Sequence, residues 1–171
     1  SMTYEPKKYV LDNVYINQIG EYQARVYNAI VQKMKKDPLF SKKTSFNFRE
    51  LSEPLSVLNM VYPSEEMDNT SEEFSGVTAI LHGKKGLENV MRYERVTQPY
   101  EQILNFEYKE SVLEKHGKIF ELDNIGKFSC KIHSICKSIQ NSTGIVLIYS
   151  RYLEGGLLPM ALALEEMGFS R

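Results

Sequence analysis

Seven consecutive residues near the end of the chain have the side chains to hold a phosphate: Ser150, Arg151, Tyr152, Leu153, Glu154, Gly155 and Gly156. Ser150 and Arg151 can donate hydrogen bonds to an anion, and paired glycines let a backbone approach closely. The stretch follows an apolar run and leads toward a helix. In open α/β sheets, ligands bind in that position, beyond the carboxyl ends of the strands. The same residues also suit a plain strand-to-helix turn in which glycine only supplies a positive φ. The local chemistry leaves both readings open.

Other reactive constellations are weaker. Gly83-Lys84-Lys85-Gly86 lacks the spacing and the following Ser or Thr of a nucleotide phosphate loop. The sequence has no G-x-S-x-G nucleophile turn and no H-E-x-x-H zinc helix. No acidic pair of the kind that holds Mg²⁺ beside a nucleotide stands out. Cys130, His133 and Cys136 offer metal-ligand types, but on a helix the two cysteines diverge by about 120°, so a buried Cys136 with an outward His133 is expected. Asn69-Thr70-Ser71 and Asn141-Ser142-Thr143 match the glycosylation pattern and are read as loop chemistry. Lys33, Lys35 and Lys36, with Lys42 and Lys43, form a basic cluster. It reads as helix-end charge, or as a phosphate-contacting surface.

The elements that would position these residues follow from periodicity. A short strand is expected at Val14-Tyr15-Ile16. A helix from about Gly20 to Lys36 would present Tyr22, Val26, Ala29, Ile30 and Met34 on one face, with Asp37-Pro38 as its stop. Leu51, Leu55 and Leu58 have helical spacing, with Pro54 in the first turn. Residues 64–75, with Glu65, Glu66, Asp68, Glu72 and Glu73, read as an exposed acidic loop. Val77 to Leu81 fits a strand or the start of a helix. Tyr100, Ile103, Leu104 and Tyr108 suggest a short helix.

Phe128, Ile132, Ile135, Cys136 and Ile139 mark one face of a helix over 128–140, broken by Asn141-Ser142-Thr143-Gly144. Ile145 to Tyr149 is apolar without alternation, the pattern of a strand covered on both faces in a parallel sheet. The last helix would carry Pro159 in its first turn and Gly168 as a left-handed cap. The expected fold class is therefore α/β, with a helix–parallel strand–helix unit at the C-terminal end after a mostly helical, loop-rich region.

Composition narrows the classes. The chain has 171 residues, 21 Lys and Arg against 22 Asp and Glu, two Cys and no Trp. A chain of this size buries roughly 70% of its unfolded surface. The near-balanced charge excludes a uniformly basic nucleic-acid coat, and two cysteines exclude a disulfide scaffold. No run is long enough to span a membrane, and no secretory signal is present, so neither membrane insertion nor secretion is expected. Ser1 ahead of Met2 is the pattern left by tag removal. A central parallel strand needs neighbours on both edges. With few other strands on offer, the chain is expected to be a piece of a longer protein that ends inside a domain.

The stretch Gly144-Ile145-Val146-Leu147-Ile148-Tyr149-Ser150-Arg151-Tyr152-Leu153-Glu154-Gly155-Gly156, continuing to Gly168-Phe169, resembles the start of the second RecA-like lobe of superfamily 2 helicases. The likeness is to those of large DNA viruses, of the mimivirus type or related to poxvirus early transcription factors. Ile125-Gly126-Lys127-Phe128-Ser129-Cys130-Lys131-Ile132 resembles the family's approach to the helix before that strand. Gln23 with Tyr27, Phe48-Arg49 with Ser52, and Asn59-Met60-Val61-Tyr62-Pro63 resemble segments that join the two lobes.

The resemblance implies a lobe-joining region over 1–124 and the truncated start of the second lobe over 125–171. It implies backbone contacts to DNA or RNA from Ser150, Arg151 and Tyr152, with Gly155 and Gly156 at the helix entrance. ATP and Mg²⁺ would belong to parts of the motor not included here, leaving this stretch without cofactor or catalytic residues of its own. Further implied partners are the missing helicase lobe and viral transcription machinery, in a viral factory in the host cytoplasm or in the virion. Two other functions fit the residues: a protein-interaction module of a viral transcription complex, and an unrelated α/β enzyme that binds a phosphate ligand at Gly155-Gly156.

Overall fold

Helix α1 (Glu21–Lys36) forms where its apolar spacing places it. Val26 and Ile30 are buried, Tyr22 and Met34 pack at the margin, and Lys33, Lys35 and Lys36 occupy the last turn. The cations there face the carbonyl end, which favours positive charge. Asp37 ends the helix, and α2 (Pro38–Ser41) is a single turn. The computed structural model describes residues 15–41, 50–64, 78–98 and 101–170. Val14, Lys42, Lys43, residues 46–49, residues 65–75, Val77 and Tyr100 lie outside them. Tyr15 and Ile16 are not in a strand.

Helix α3 (Ser52–Asn59) has Pro54 in its first turn, as its sequence suggests, but turns a different face inward. Pro54, Ser56 and Val57 are buried while Leu55 is exposed. The rotation is fixed from outside the helix. Gln23, fully buried in α1, donates from Nε2 to the Val57 carbonyl at 3.0 Å. An unpaired buried amide is costly, so this bond orients α3 against α1. Val26, Ile30, Val57, Val61 and Leu81 then form one core cluster.

After α3 the chain runs extended through Met60–Pro63. Val61 N–H donates to the Phe128 carbonyl at 3.0 Å, and Tyr62 N–H to the Leu81 carbonyl at 2.7 Å. A 3₁₀ turn (Thr78–Ile80) leads to α4 (Gly83–Val90). Gly83 begins this helix at φ +58°, and a Cβ on Gly86 would lie 2.4 Å from the Tyr62 ring. Gly83 is thus favoured by its backbone conformation and Gly86 by close packing against Tyr62.

Strands β1 (Met91–Gln98) and β2 (Glu101–Tyr108) form an antiparallel hairpin, the one sheet among the described residues. The helix expected from Ile103, Leu104 and Tyr108 is therefore a strand. Met91 pairs with Tyr108 and Tyr93 with Phe106 on one face, and Arg92 opposes Glu107 on the other. Cross-strand pairs of this kind stabilise a sheet, yet they are invisible to a periodicity read along one strand.

Helices α5 (Glu110–His116), α6 (Leu122–Ile125), α7 (Cys130–Gln140) and α8 (Leu158–Glu166) complete the main core. Met60, Tyr62, Phe120, Phe128, Ile132 and Met160 meet in it, so it draws on residues from both sides of position 124. The expected face of α7 is present: Ile132 and Cys136 are buried, and Ile135 and Ile139 are partly so. Ser129 caps this helix, its Oγ accepting from Ile132 N–H at 3.0 Å. At the end of α8, Gly168 has φ +95° and donates to the Glu165 carbonyl, while Phe169 N–H donates to that of Leu164. This is a complete left-handed cap, as the sequence suggests.

The covered strand expected at Ile145–Tyr149 is not formed. That run has no strand neighbour among the described residues, and Ile145 and Leu147 are 103% and 93% exposed. A strand exists only through hydrogen bonds to another, so a run without partners stays irregular however apolar it is. The architecture shown is mixed and mostly helical, with no parallel sheet among the described residues. No helix there is long and apolar enough to cross a membrane.

Candidate functional site

The five residues singled out at the C-terminal end come together in space. Ser150, Arg151, Tyr152, Gly155 and Gly156 line one cavity of about 280 Å³, between α7 and the start of α8. Ile132, Ile135 and Met160 supply its apolar wall, and Asn59 and Lys131 its other polar side. Lys131 Nζ donates to Asn59 Oδ1 at 2.5 Å, and Ser129 Oγ donates to the Asn59 carbonyl at 2.5 Å. These two bonds tie the end of α3 to the first turn of α7. Arg151 and Lys131 are both exposed, so two cationic side chains border the cavity where solvent reaches it.

The expected loop is more ordered than the sequence suggests. Residues Leu153–Leu157 form a π-helical turn that runs into α8. Leu157 N–H donates to the Tyr152 carbonyl at 3.0 Å, and Leu158 N–H to that of Leu153. The N–H groups of these two residues are therefore already bonded and do not face an anion. Neither glycine has a positive φ. They serve close approach instead: a Cβ on Gly156 would lie 2.3 Å from Ser150 Oγ, and one on Gly155 would lie 3.1 Å from Ser56 Oγ. The Ser150 hydroxyl donates to the Tyr152 carbonyl and accepts from Tyr152 N–H, both at 3.1 Å. The phenol oxygen of Tyr152 is buried without a hydrogen-bond partner among the described residues. Of the five, Arg151 is the one whose exposed, permanently charged head suits an anionic ligand.

A residue that periodicity passes over fixes this turn. Tyr62 is fully buried, and its hydroxyl donates to the Glu154 carbonyl at 2.5 Å. Burial pushes its phenol far above the usual tyrosine range, so it remains a donor at any ordinary pH. Its ring meets Phe120 edge-on at 6.5 Å between centroids. The aromatic followed by Pro63 at the end of an apolar stretch is the only local signal for it.

Gln23, part of a lobe-joining resemblance, is used inside the fold: besides Val57, its Oε1 accepts from Cys130 N–H at 3.0 Å. Cys130 is half-buried and Cys136 buried, and both are free thiols. Burial pushes both thiols above their usual range, which makes them poor ligands or nucleophiles. Among the described residues, no three potential metal-ligating side chains gather.

Comparison with protein-family models, with curated proteins and with solved structures finds no match to this chain.

Proposed function

We propose that this chain is part of an ATP-dependent helicase or translocase of the superfamily 2 type from a large DNA virus. In this reading the region around Arg151 grips the sugar-phosphate backbone of the tracked strand. The observation that carries the reading is the single cavity where Arg151 and Lys131 stand at the surface beside the Ser150–Gly156 turn. Two cations over an apolar wall give affinity for phosphates without reading sequence, as a motor on any strand requires.

The connectivity of α7, the Ile145–Tyr149 run, the π turn and α8 is read as the start of a RecA-like lobe. An apolar run exposed along most of its length supports this, because a parallel sheet would cover both its faces. ATP and Mg²⁺ would be held by other parts of the motor, and no step of their chemistry is assigned to these residues. The other lobe and viral transcription machinery are the proposed partners, in the viral factory or the virion.

The test is fluorescence anisotropy of a labelled oligo-dT or oligo-U strand with the chain as it stands, together with an ATPase assay. Salt-sensitive binding that weakens in Arg151→Ala, with no nucleotide turnover, is the expected outcome. Binding unchanged by that substitution would remove Arg151 from the interface. Turnover of a nucleotide by this chain alone would favour a phosphate-ligand enzyme instead.

A further inference from the structure

A second cationic tract lies away from the Arg151 cavity. One cleft of about 580 Å³ is lined by Arg25 of α1, Lys127 and His116, with Tyr22 and Phe128 between them. A second, of about 320 Å³, is lined by Lys109, Lys115 and the same His116. The shared imidazole makes the two clefts neighbours. Among the described residues that line the two clefts, Glu21 is the one carboxylate, although the whole chain carries 22 acidic residues against 21 Lys and Arg. Cationic side chains gathered along two adjoining clefts favour an anionic ligand there even in a chain of balanced net charge.

The aromatic side chains indicate the kind of anion. Tyr22 and Phe128 meet edge-on at 5.6 Å between centroids, and His116 meets Phe128 edge-on at 6.3 Å. Phe128 is buried, while Tyr22 and His116 are partly exposed. The rigid Phe128 ring therefore holds two partly open rings in place, with Arg25 and Lys127 beside them. Partly exposed rings beside cations suit a single-stranded polynucleotide, whose bases stack while its phosphates pair with charge. An acidic peptide would use the cations and leave the rings idle.

We infer that the two clefts joined at His116 bind consecutive nucleotides of a single strand. Lys109 and Lys115 would contact phosphates on one side, and Arg25 and Lys127 on the other. This deepens the proposed function and rests on it for the choice of ligand. None of its residues borders the Arg151 cavity.

The test measures the slope of log affinity against log salt for a labelled oligo-dT strand. It compares the unaltered chain, Arg151→Ala, the pair Lys109→Gln with Lys115→Gln, and the pair Arg25→Gln with Lys127→Gln. Each pair is expected to reduce the slope by about 2, roughly 1 for each phosphate contact removed. None of the four side chains is in the buried class, so thermal unfolding should show folded variants. If a pair fails to fold, Lys109→Gln or Lys127→Gln alone, with a slope loss of about 1, decides the matter.

Slopes unchanged in both pairs, with binding still sensitive to Arg151→Ala, would overturn the second tract and leave the proposed function standing. Slopes reduced in the pairs alone would support the tract and remove Arg151. No strand binding by the unaltered chain would overturn both. Binding of a poly-glutamate peptide in place of the strand, lost in the same pairs, would also overturn the tract as a nucleic-acid site.

Discussion

Gln23 shows how one polar side chain can fix the relation of three helices. It sits in α1 with no exposed surface, donates to the last turn of α3 through Val57, and accepts from the first N–H of α7 at Cys130. Both ends of the amide are satisfied, so its burial carries no unpaired group. Gln23→Met keeps most of the volume and removes both bonds. It would leave a buried carbonyl at Val57 and strand the Cys130 N–H. At about 1–3 kcal/mol for each of the two orphaned groups, the expected loss is about 2–6 kcal/mol, read from the shift of a urea unfolding midpoint. A loss under about 0.5 kcal/mol, the range of an ordinary surface change, would mean that the amide does not orient the helices. Sequence reading notes Gln23 only as part of a lobe-joining resemblance and assigns it no structural task. Its two partners lie 34 and 107 residues away, beyond what local spacing reveals.

At the scale of elements, legibility depends on whether the determinant is local. Helices α1, α7 and α8 are visible in the sequence because apolar spacing, caps and stops lie within each stretch. The buried face of α3 is not, because Gln23 sets it from outside. The β1–β2 hairpin is not, because a strand is specified by its partner, and Arg92 and Glu107 have meaning only across the ladder. The π turn at Leu153–Leu157 is hidden for a related reason: in the sequence the paired glycines read as close approach to a ligand or as a positive φ, whereas here they make room for Ser56 and Ser150 of the chain itself. Gly156→Ala would push a methyl group into Ser150 Oγ and force apart the two Ser150–Tyr152 bonds. Overpacking of this kind costs about 1–3 kcal/mol. Ser150→Ala in the same chain removes the oxygen in the way. The double variant should therefore lose at least about 0.5 kcal/mol less than the sum of the singles, measured by thermal or urea unfolding. Simple additivity would mean that Gly156 and Ser150 do not meet.

For the molecule as a whole, the five residues singled out at the C-terminal end line one cavity, while the sheet meant to present them is not formed among the described residues. The cause is a single run. Ile145–Tyr149 has the composition of a sheet interior and the environment of a surface, and composition cannot tell a strand with partners from one without. Ile145 and Leu147 are almost fully exposed, whereas Ile148 packs against the core. Replacing both with Lys should change unfolding stability by no more than about 0.5 kcal/mol each, as for any surface site. It should also suppress concentration-dependent self-association in light scattering, because an unpaired apolar run is a template for edge-to-edge pairing. A loss above about 2 kcal/mol, the scale of core truncation, would show that the run is buried in solution. In the proposed motor the same two lysines would face the interior of a parallel sheet. A longer protein containing that sheet should therefore lose stability from the substitutions that this chain tolerates, and the contrast between the two backgrounds measures whether the run is a sheet strand waiting for its neighbours.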